Sequence, residues 1–188
     1  DLAPAVIVGH SMGCRVAMEA AARAPARTKA LVLVDGSRLG EAGSRSYEGR
    51  AKALADMGYA NAAKAAFGQM FGTDYDKAKA QAIIDRALAR DPAIAAPLFA
   101  EIGRYDSENM DRLLAGVRVP MLAIQSTQTL PDGKRLPLAK GQTTPYLDML
   151  RAKVRGVAIE IVPGIGHFPQ LERPAETNAM FDAFLKRL

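Results

Sequence analysis

Gly9-His10-Ser11-Met12-Gly13 constrains this chain more than any other feature. It is a G-x-S-x-G pentapeptide set between a run of small apolar residues and an Ala-rich stretch. The run 3–8 predicts a strand buried on both faces, because it is continuous and carries the β-branched Val6, Ile7 and Val8. The stretch 12–24 predicts a helix that stops near Pro25. A serine hydroxyl becomes an effective nucleophile when a sharp turn holds it out beside a base. A strand-to-helix turn of this composition is the setting in which the motif carries chemistry. Gly9 and Gly13 lack side chains, so strand and helix can approach closely around a backbone strained at Ser11.

A second apolar, β-branched run at 31–34 follows the helix. Strand, helix and strand without polar alternation predict parallel strands joined by a right-handed crossover. The sheet resumes at 119–125, where Pro120 stands at the strand start and its missing N–H does little harm. Residues 143–154 predict a helix with Pro145 in its first turn. Residues 158–162 predict the last strand, and 174–188 an amphipathic closing helix carrying Met180, Phe181, Phe184 and Leu185. Between 36 and 116 the period changes. Apolar residues recur there at helical spacing, as in Phe67, Met70 and Phe71 or Leu98, Phe99 and Ile102. Interruptions at Gly58, Gly72, Asp91-Pro92 and Asp106 divide this segment into four or five short helices with no strand.

Composition narrows the function classes. A chain of 188 residues suits one domain and can bury a sizeable core. It is 49% apolar and 24% charged, ordinary proportions for a globular protein. The net charge of +5 comes from scattered Lys and Arg without a dense run or interleaved aromatics, which argues against a nucleic-acid partner. No run of 18 apolar residues exists, so no membrane-spanning helix is predicted, and with no visible leader the sequence reads as cytoplasmic. Cys14 is the only cysteine, which excludes an internal disulfide. Its place in the helix after Ser11 predicts a packed, unreactive thiol. No metal or cofactor motif is present.

The order VIVGHSMG, helix, KALVLVDGS, helical stretch, VRVPMLAIQ, AIEIVPGIGHFPQLERP and closing helix resembles the α/β-hydrolase family over nearly the whole chain. The resemblance implies the α/β class: the C-terminal half of an α/β-hydrolase fold, with about four parallel strands, flanking helices and a helical lid insertion. It divides the chain into a nucleophile-elbow unit with its next strand (1–36), a helical lid (37–116) and the remaining core with a catalytic histidine loop (117–188). In that family most of the sheet precedes the elbow, whereas Ser11 is the eleventh residue here. A fragment, one piece of a processed protein and a half-fold that works alone all remain open. In the lid, Met and Phe side chains are read as lid core or, alternatively, as the lining of an acyl pocket.

The resemblance also implies the site. Ser11 is the nucleophile. His167, in Gly164-Ile-Gly166-His167-Phe168 between the last strand and last helix, is the general base, a role suited to a group titrating near neutrality. His10, the variable residue of the pentapeptide, is expected to point away from the reacting face. Glu172 resembles the residue that caps the last helix. The usual acid position, nine residues past Pro120, holds Thr129, which cannot orient an imidazolium. Two acids remain open. Asp35 ends the second strand 24 residues after Ser11, where a minority of the family carries its acid, and a strand end fixes a carboxylate rigidly. Asp132 lies in the Thr-, Pro- and Gly-rich loop 126–141. The backbone N–H of Met12 supplies one oxyanion-hole donor, while the loop that gives the second is not in this chain.

These residues imply a serine esterase, cleaving a small-molecule carboxylic ester through a Ser-His-Asp triad and an acyl-enzyme. The alternative is an inactive hydrolase fragment or interaction module that needs a partner chain to complete the site. In either case the strand at 5–8 is left on a sheet edge, an aggregation hazard unless covered. A homodimer pairing this edge with its own copy, a higher homo-oligomer, or a complementary chain carrying the missing strands would cover it.

Overall fold

The computed structural model describes residues 4–45 and 47–188. The predicted start of the first strand at residue 3 lies outside the described residues. Four strands form one parallel sheet in the order β1 (Ala5–His10), β2 (Thr28–Val34), β3 (Met121–Gln125), β6 (Ala158–Ile161). The central strands are buried on both faces, as their unbroken apolar runs require. Alternation then sorts their side chains: Leu31 and Leu33 face one layer, Ala30, Val32 and Val34 the other.

The first layer packs α1 (Gly13–Arg23) and α6 (Pro145–Lys153) onto the sheet through Cys14, Met18, Leu147 and Leu150. The second packs α8 (Pro174–Leu185) through Phe184 against Leu122 and Ile124. Each large aliphatic side chain fully removed from water here contributes about 1.5–3 kcal/mol of transfer free energy. β1 stands apart. Among the described residues it pairs only with β2, and Val8 is 53% exposed.

Residues 47–116 hold four α-helices: α2 (Tyr47–Met57), α3 (Tyr59–Phe67), α4 (Lys77–Leu88) and α5 (Pro92–Gly116). Gly58, at φ 76°, separates the first two. Asp91-Pro92 starts α5 rather than merely interrupting a helix: the Asp91 carboxylate accepts from Ala93 N–H at 2.9 Å and Pro92 occupies the first turn. The predicted break at Asp106 is absent. α5 runs 25 residues through it, because Asp106 is buried in an ion pair with Arg15 rather than exposed at a helix end. Met110, Leu113 and Leu114 on its last turns belong to the main core.

The loop expected at 126–141 contains an antiparallel hairpin, β4 (Thr127–Thr129) with β5 (Arg135–Pro137). Its turn is closed by Leu130 N–H to Lys134 O at 2.8 Å and Gly133 N–H to Leu130 O at 2.9 Å, with Lys134 N–H to Asp132 Oδ1 at 3.0 Å and Gly133 at φ 86°. A short helix, α7 (Pro169–Glu172), precedes α8.

Candidate active site

Ser11 sits between β1 and α1 at φ 56°, a left-handed conformation that costs a non-glycine residue of order 1–3 kcal/mol. Its N–H donates to Val34 O at 3.0 Å, which hangs the elbow on the end of β2. A Cβ at Gly9 would collide with Gly13 O and Cys14 Cα, so strand and helix approach closely only because residue 9 is glycine. Gly13 differs from expectation: a Cβ there meets open space. The Cys14 thiol contacts Gly9 O at 3.2 Å, and burial pushes its pKa up to about 12, so it stays protonated.

Asp35 follows β2 at φ 44° and is fully buried. Oδ1 accepts from Ser126 N–H at 2.7 Å and Thr127 N–H at 2.8 Å, both supplied by the chain leaving β3. Oδ2 accepts from Thr127 Oγ1 at 2.5 Å and faces Arg135 Nη1 at 3.3 Å. His167 Nδ1 lies 2.5 Å from the same oxygen. Burial is the largest influence on this carboxyl and favours the neutral form. The hydrogen bonds from His167, Thr127 and Ser126 outweigh it and hold Asp35 below the usual carboxylate range.

His167 lies on the loop between β6 and α7, 1% exposed, with its N–H donating to Met70 O at 2.6 Å. Burial holds its pKa below the ordinary value, against the opposing pull of Asp35 and with help from Arg135. A neutral ring whose Nδ1–H points at Asp35 carries its lone pair on Nε2. That Nε2 is buried and has no hydrogen-bond partner among the described residues, Ser11 Oγ included. Catalytic hydrogen bonds of this kind often close only when substrate is bound.

His10 corrects its expectation. Its ring is not turned away: it packs 4.6 Å from the His167 ring and 4.9 Å from Phe168. Its Nε2 donates to His167 O at 2.7 Å, and burial first, then the neighbouring His167, holds its pKa down to about 4. Glu172 does not cap α8. Its Oε2 accepts from Gly72 N–H and Gly166 N–H, each at 3.0 Å, tying the helical segment to the histidine loop. Asp132 is not brought to His167. It is exposed on the hairpin turn, where it pairs with Lys134 at 3.3 Å.

Ser11, Met12, His10 and His167 open on one cavity of about 580 Å³, whose far wall includes Phe67, Met70, Leu98 and Phe99 from the helical segment. Phe67 and Phe99 also pack on a small cluster of Tyr59, Ala63 and Ala95, so the same aromatics build both helix core and cavity wall. The Met12 N–H, at the start of α1, is used by no backbone acceptor among the described residues. Among those residues no cluster of three or more His, Cys, Asp or Glu could hold a metal, and no helix is long and apolar enough to cross a membrane.

The sequence reading missed two members of this neighbourhood. Arg135 enters from β5 and touches Asp35, Thr127 and His167, a contact across 100 residues of sequence that no local pattern signals. Arg15, on α1, grips Asp106 through Nε at 2.7 Å and Nη2 at 2.6 Å, and reaches Ser37 O at 2.9 Å and Ser11 O at 3.4 Å. Asp106 had a signal: it shares a helical face with the apolar Ile102, Met110 and Leu113, and a carboxylate on such a face needs a cation.

The fold is similar to several solved hydrolases. Est816, described as an N-acyl homoserine lactone degrading enzyme, is 20% identical with a TM-score of 0.72, over 97% of this chain and 68% of that one. The enol-lactonase from Burkholderia xenovorans LB400 is 21% identical with a TM-score of 0.73, over 98% and 66%. A thermophilic esterase from Thermogutta terrifontis is 18% identical with a TM-score of 0.72, over 98% and 65%. The chain therefore spans about two thirds of the length of these relatives. No curated protein sequence matches it. The sequence model of the alpha/beta hydrolase family matches residues 1–180. With its parallel sheet, strained serine elbow and histidine loop, the chain belongs to the α/β-hydrolase family.

Proposed function

We propose that this chain carries the catalytic centre of a serine hydrolase acting on carboxylic esters, with Ser11 as nucleophile, His167 as base and Asp35 as the acid that orients it. The observation that carries this reading is the state of His167. One ring nitrogen is tied to a buried, ionised Asp35 while the other, unclaimed, belongs to a ring that shares a cavity with the strained Ser11. The names of similar structures, an enol-lactonase and an esterase, describe proteins that break C(=O)–O bonds and agree with it.

In this mechanism substrate binding brings the carbonyl to Ser11. Oγ forms a bond to the carbonyl carbon as its proton passes to His167 Nε2, and Asp35 stabilises the imidazolium without taking the proton. The tetrahedral oxyanion accepts from Met12 N–H. Collapse breaks the bond to the alcohol oxygen, which receives the proton from His167. Water then repeats the sequence on the acyl-enzyme and releases the acid. A second oxyanion donor is supplied by another chain or by the helical segment, and losing one such donor costs about 10²–10³ in turnover.

The exposed edge of β1 favours a second element of the proposal. A strand from a complementary chain or from a second copy pairs there and completes the sheet, the alternative being a module without activity until that happens. Native mass measurement tests this element: a clean monomer in dilute solution removes it. Hydrolysis of short-chain p-nitrophenyl esters tests the activity. Turnover that Ser11→Ala lowers by about 10⁴–10⁶ supports it; equal background in both proteins refutes it.

A further inference from the structure

The β4–β5 hairpin occupies the loop where the family resemblance places a carboxylate, and it delivers a cation instead. Arg135 Nη1 stands 2.7 Å from Thr127 Oγ1, 3.3 Å from Asp35 Oδ2 and 3.0 Å from His167 Nδ1, with the side chain 14% exposed. The last distance resembles a hydrogen bond, but the proton inventory forbids it. Nδ1 and Asp35 Oδ2 are 2.5 Å apart, a separation that requires a proton between them. Nδ1 is therefore a donor and has no lone pair to offer arginine. The guanidinium is a positive charge packed against an N–H.

Protonating Nε2 would place a second positive charge on a ring already in contact with the first. Arg135 also shares Asp35 Oδ2 with His167, which reduces the carboxylate's capacity to stabilise an imidazolium. Both effects favour the neutral ring. The other charged or titratable groups facing His167 are Asp35 at the end of β2, Glu172 on α7 and His10 on β1. His10 is held neutral by burial, and Glu172 engages the N–H groups of Gly72 and Gly166. Arg135 is thus the cation in this set.

We propose that Arg135 is a positioning residue that keeps His167 in its unprotonated Nδ1–H form and so extends the activity of the site to lower pH. This rests on His167 acting as general base. A purely structural role predicts the opposite sign. If Arg135 only held Asp35 in place, its loss would loosen the carboxylate, weaken support for the imidazolium and lower the titration midpoint of His167.

The test is an NMR titration of the ¹⁵N-labelled His167 ring in the Ser11→Ala protein, which reports whether or not the chain has esterase activity. In the parent, the midpoint falls below the ordinary histidine value. Arg135→Gln moves it upward by on the order of one pH unit, and Arg135→Lys, which retains the charge, keeps it close to the parent. In protein retaining Ser11, the acidic limb of kcat/KM follows the same displacement. A midpoint unchanged or lowered by Arg135→Gln overturns the proposal. Should that variant fail to fold, Arg135→Met, which also removes the charge, carries the same test, and a midpoint it leaves unchanged or lowers overturns the proposal equally. Absent turnover with the titration as predicted would instead refute the hydrolase reading and leave only the effect of Arg135 on His167 protonation standing.

Discussion

Asp35 and Ser11, the proposed acid and nucleophile, lie at the ends of adjacent strands, β2 and β1, and they are held in different ways. Asp35 leaves a strand flanked on both edges, and the chain from β3 folds over it to supply two backbone donors and a hydroxyl. His167 is buried against it. Ser11 leaves a strand with one partner among the described residues, is half-buried, and is held by its N–H bond to Val34 O and by the α1 helix behind it, whose Cys14 N–H and Arg15 side chain reach Ser11 O. The site's rigidity therefore comes from strand position. A strand interior to the sheet can fix a catalytic group from two sides, whereas the edge strand leaves its group to be fixed by whatever packs beyond it.

Breaking the better-held side should cost far more than altering the hairpin turn. Asp35→Asn leaves the shape intact but removes the preference for the Nδ1–H tautomer, and ester turnover should fall by about 10⁴. Asp132→Asn, on the exposed hairpin turn, should leave turnover within about twofold. A large loss with Asp132→Asn and none with Asp35→Asn would reverse the assignment of the acid.

The nucleophile side has one strong tether, the buried Arg15–Asp106 pair that joins α1 to α5. Asp106→Ala strands a buried guanidinium and should cost about 3–5 kcal/mol in urea unfolding. Replacing both partners with apolar residues, Arg15→Met with Asp106→Leu, should recover most of that loss. A double variant as unstable as the single one would show that the pair contributes more than mutual neutralisation, the bonds to Ser37 O and Leu39 N–H being the candidates.

A smaller effect comes from His10, which bridges the two sides. Its folded-state pKa, about 4, is depressed below the ordinary 6.5, so the folded protein binds this proton less readily than the unfolded chain. Its contribution to stability is therefore full above pH 6.5 and is lost as pH falls from there through 4. The loss amounts to about 3 kcal/mol between those limits. Denaturation curves at pH 7 and pH 4.5 read it, and His10→Gln should flatten the dependence.

The parallel core was legible because burial on both faces leaves an unbroken apolar run, as at residues 31–34 and 121–125. The 24-residue spacing from Ser11 to Asp35 pointed to the carboxylate that the fold brings to His167. The hairpin was not legible, because Thr127-Gln128-Thr129 and Arg135-Leu136-Pro137 carry no apolar alternation, although Pro131-Asp132-Gly133 is a turn signature between them. Asp106 was misread as a break because polarity was weighed without the apolar stripe around it. The inward turn of His10 and the reach of Arg135 depend on partners 157 and 32 residues away, information that local sequence does not hold.

Labelling with a fluorophosphonate followed by peptide mapping asks most directly whether the imidazole activates the elbow hydroxyl. One adduct is expected, on Ser11, which His167→Ala abolishes and heat-unfolding of the protein prevents. No adduct on the native protein, or an adduct that forms equally well without the histidine, would contradict it.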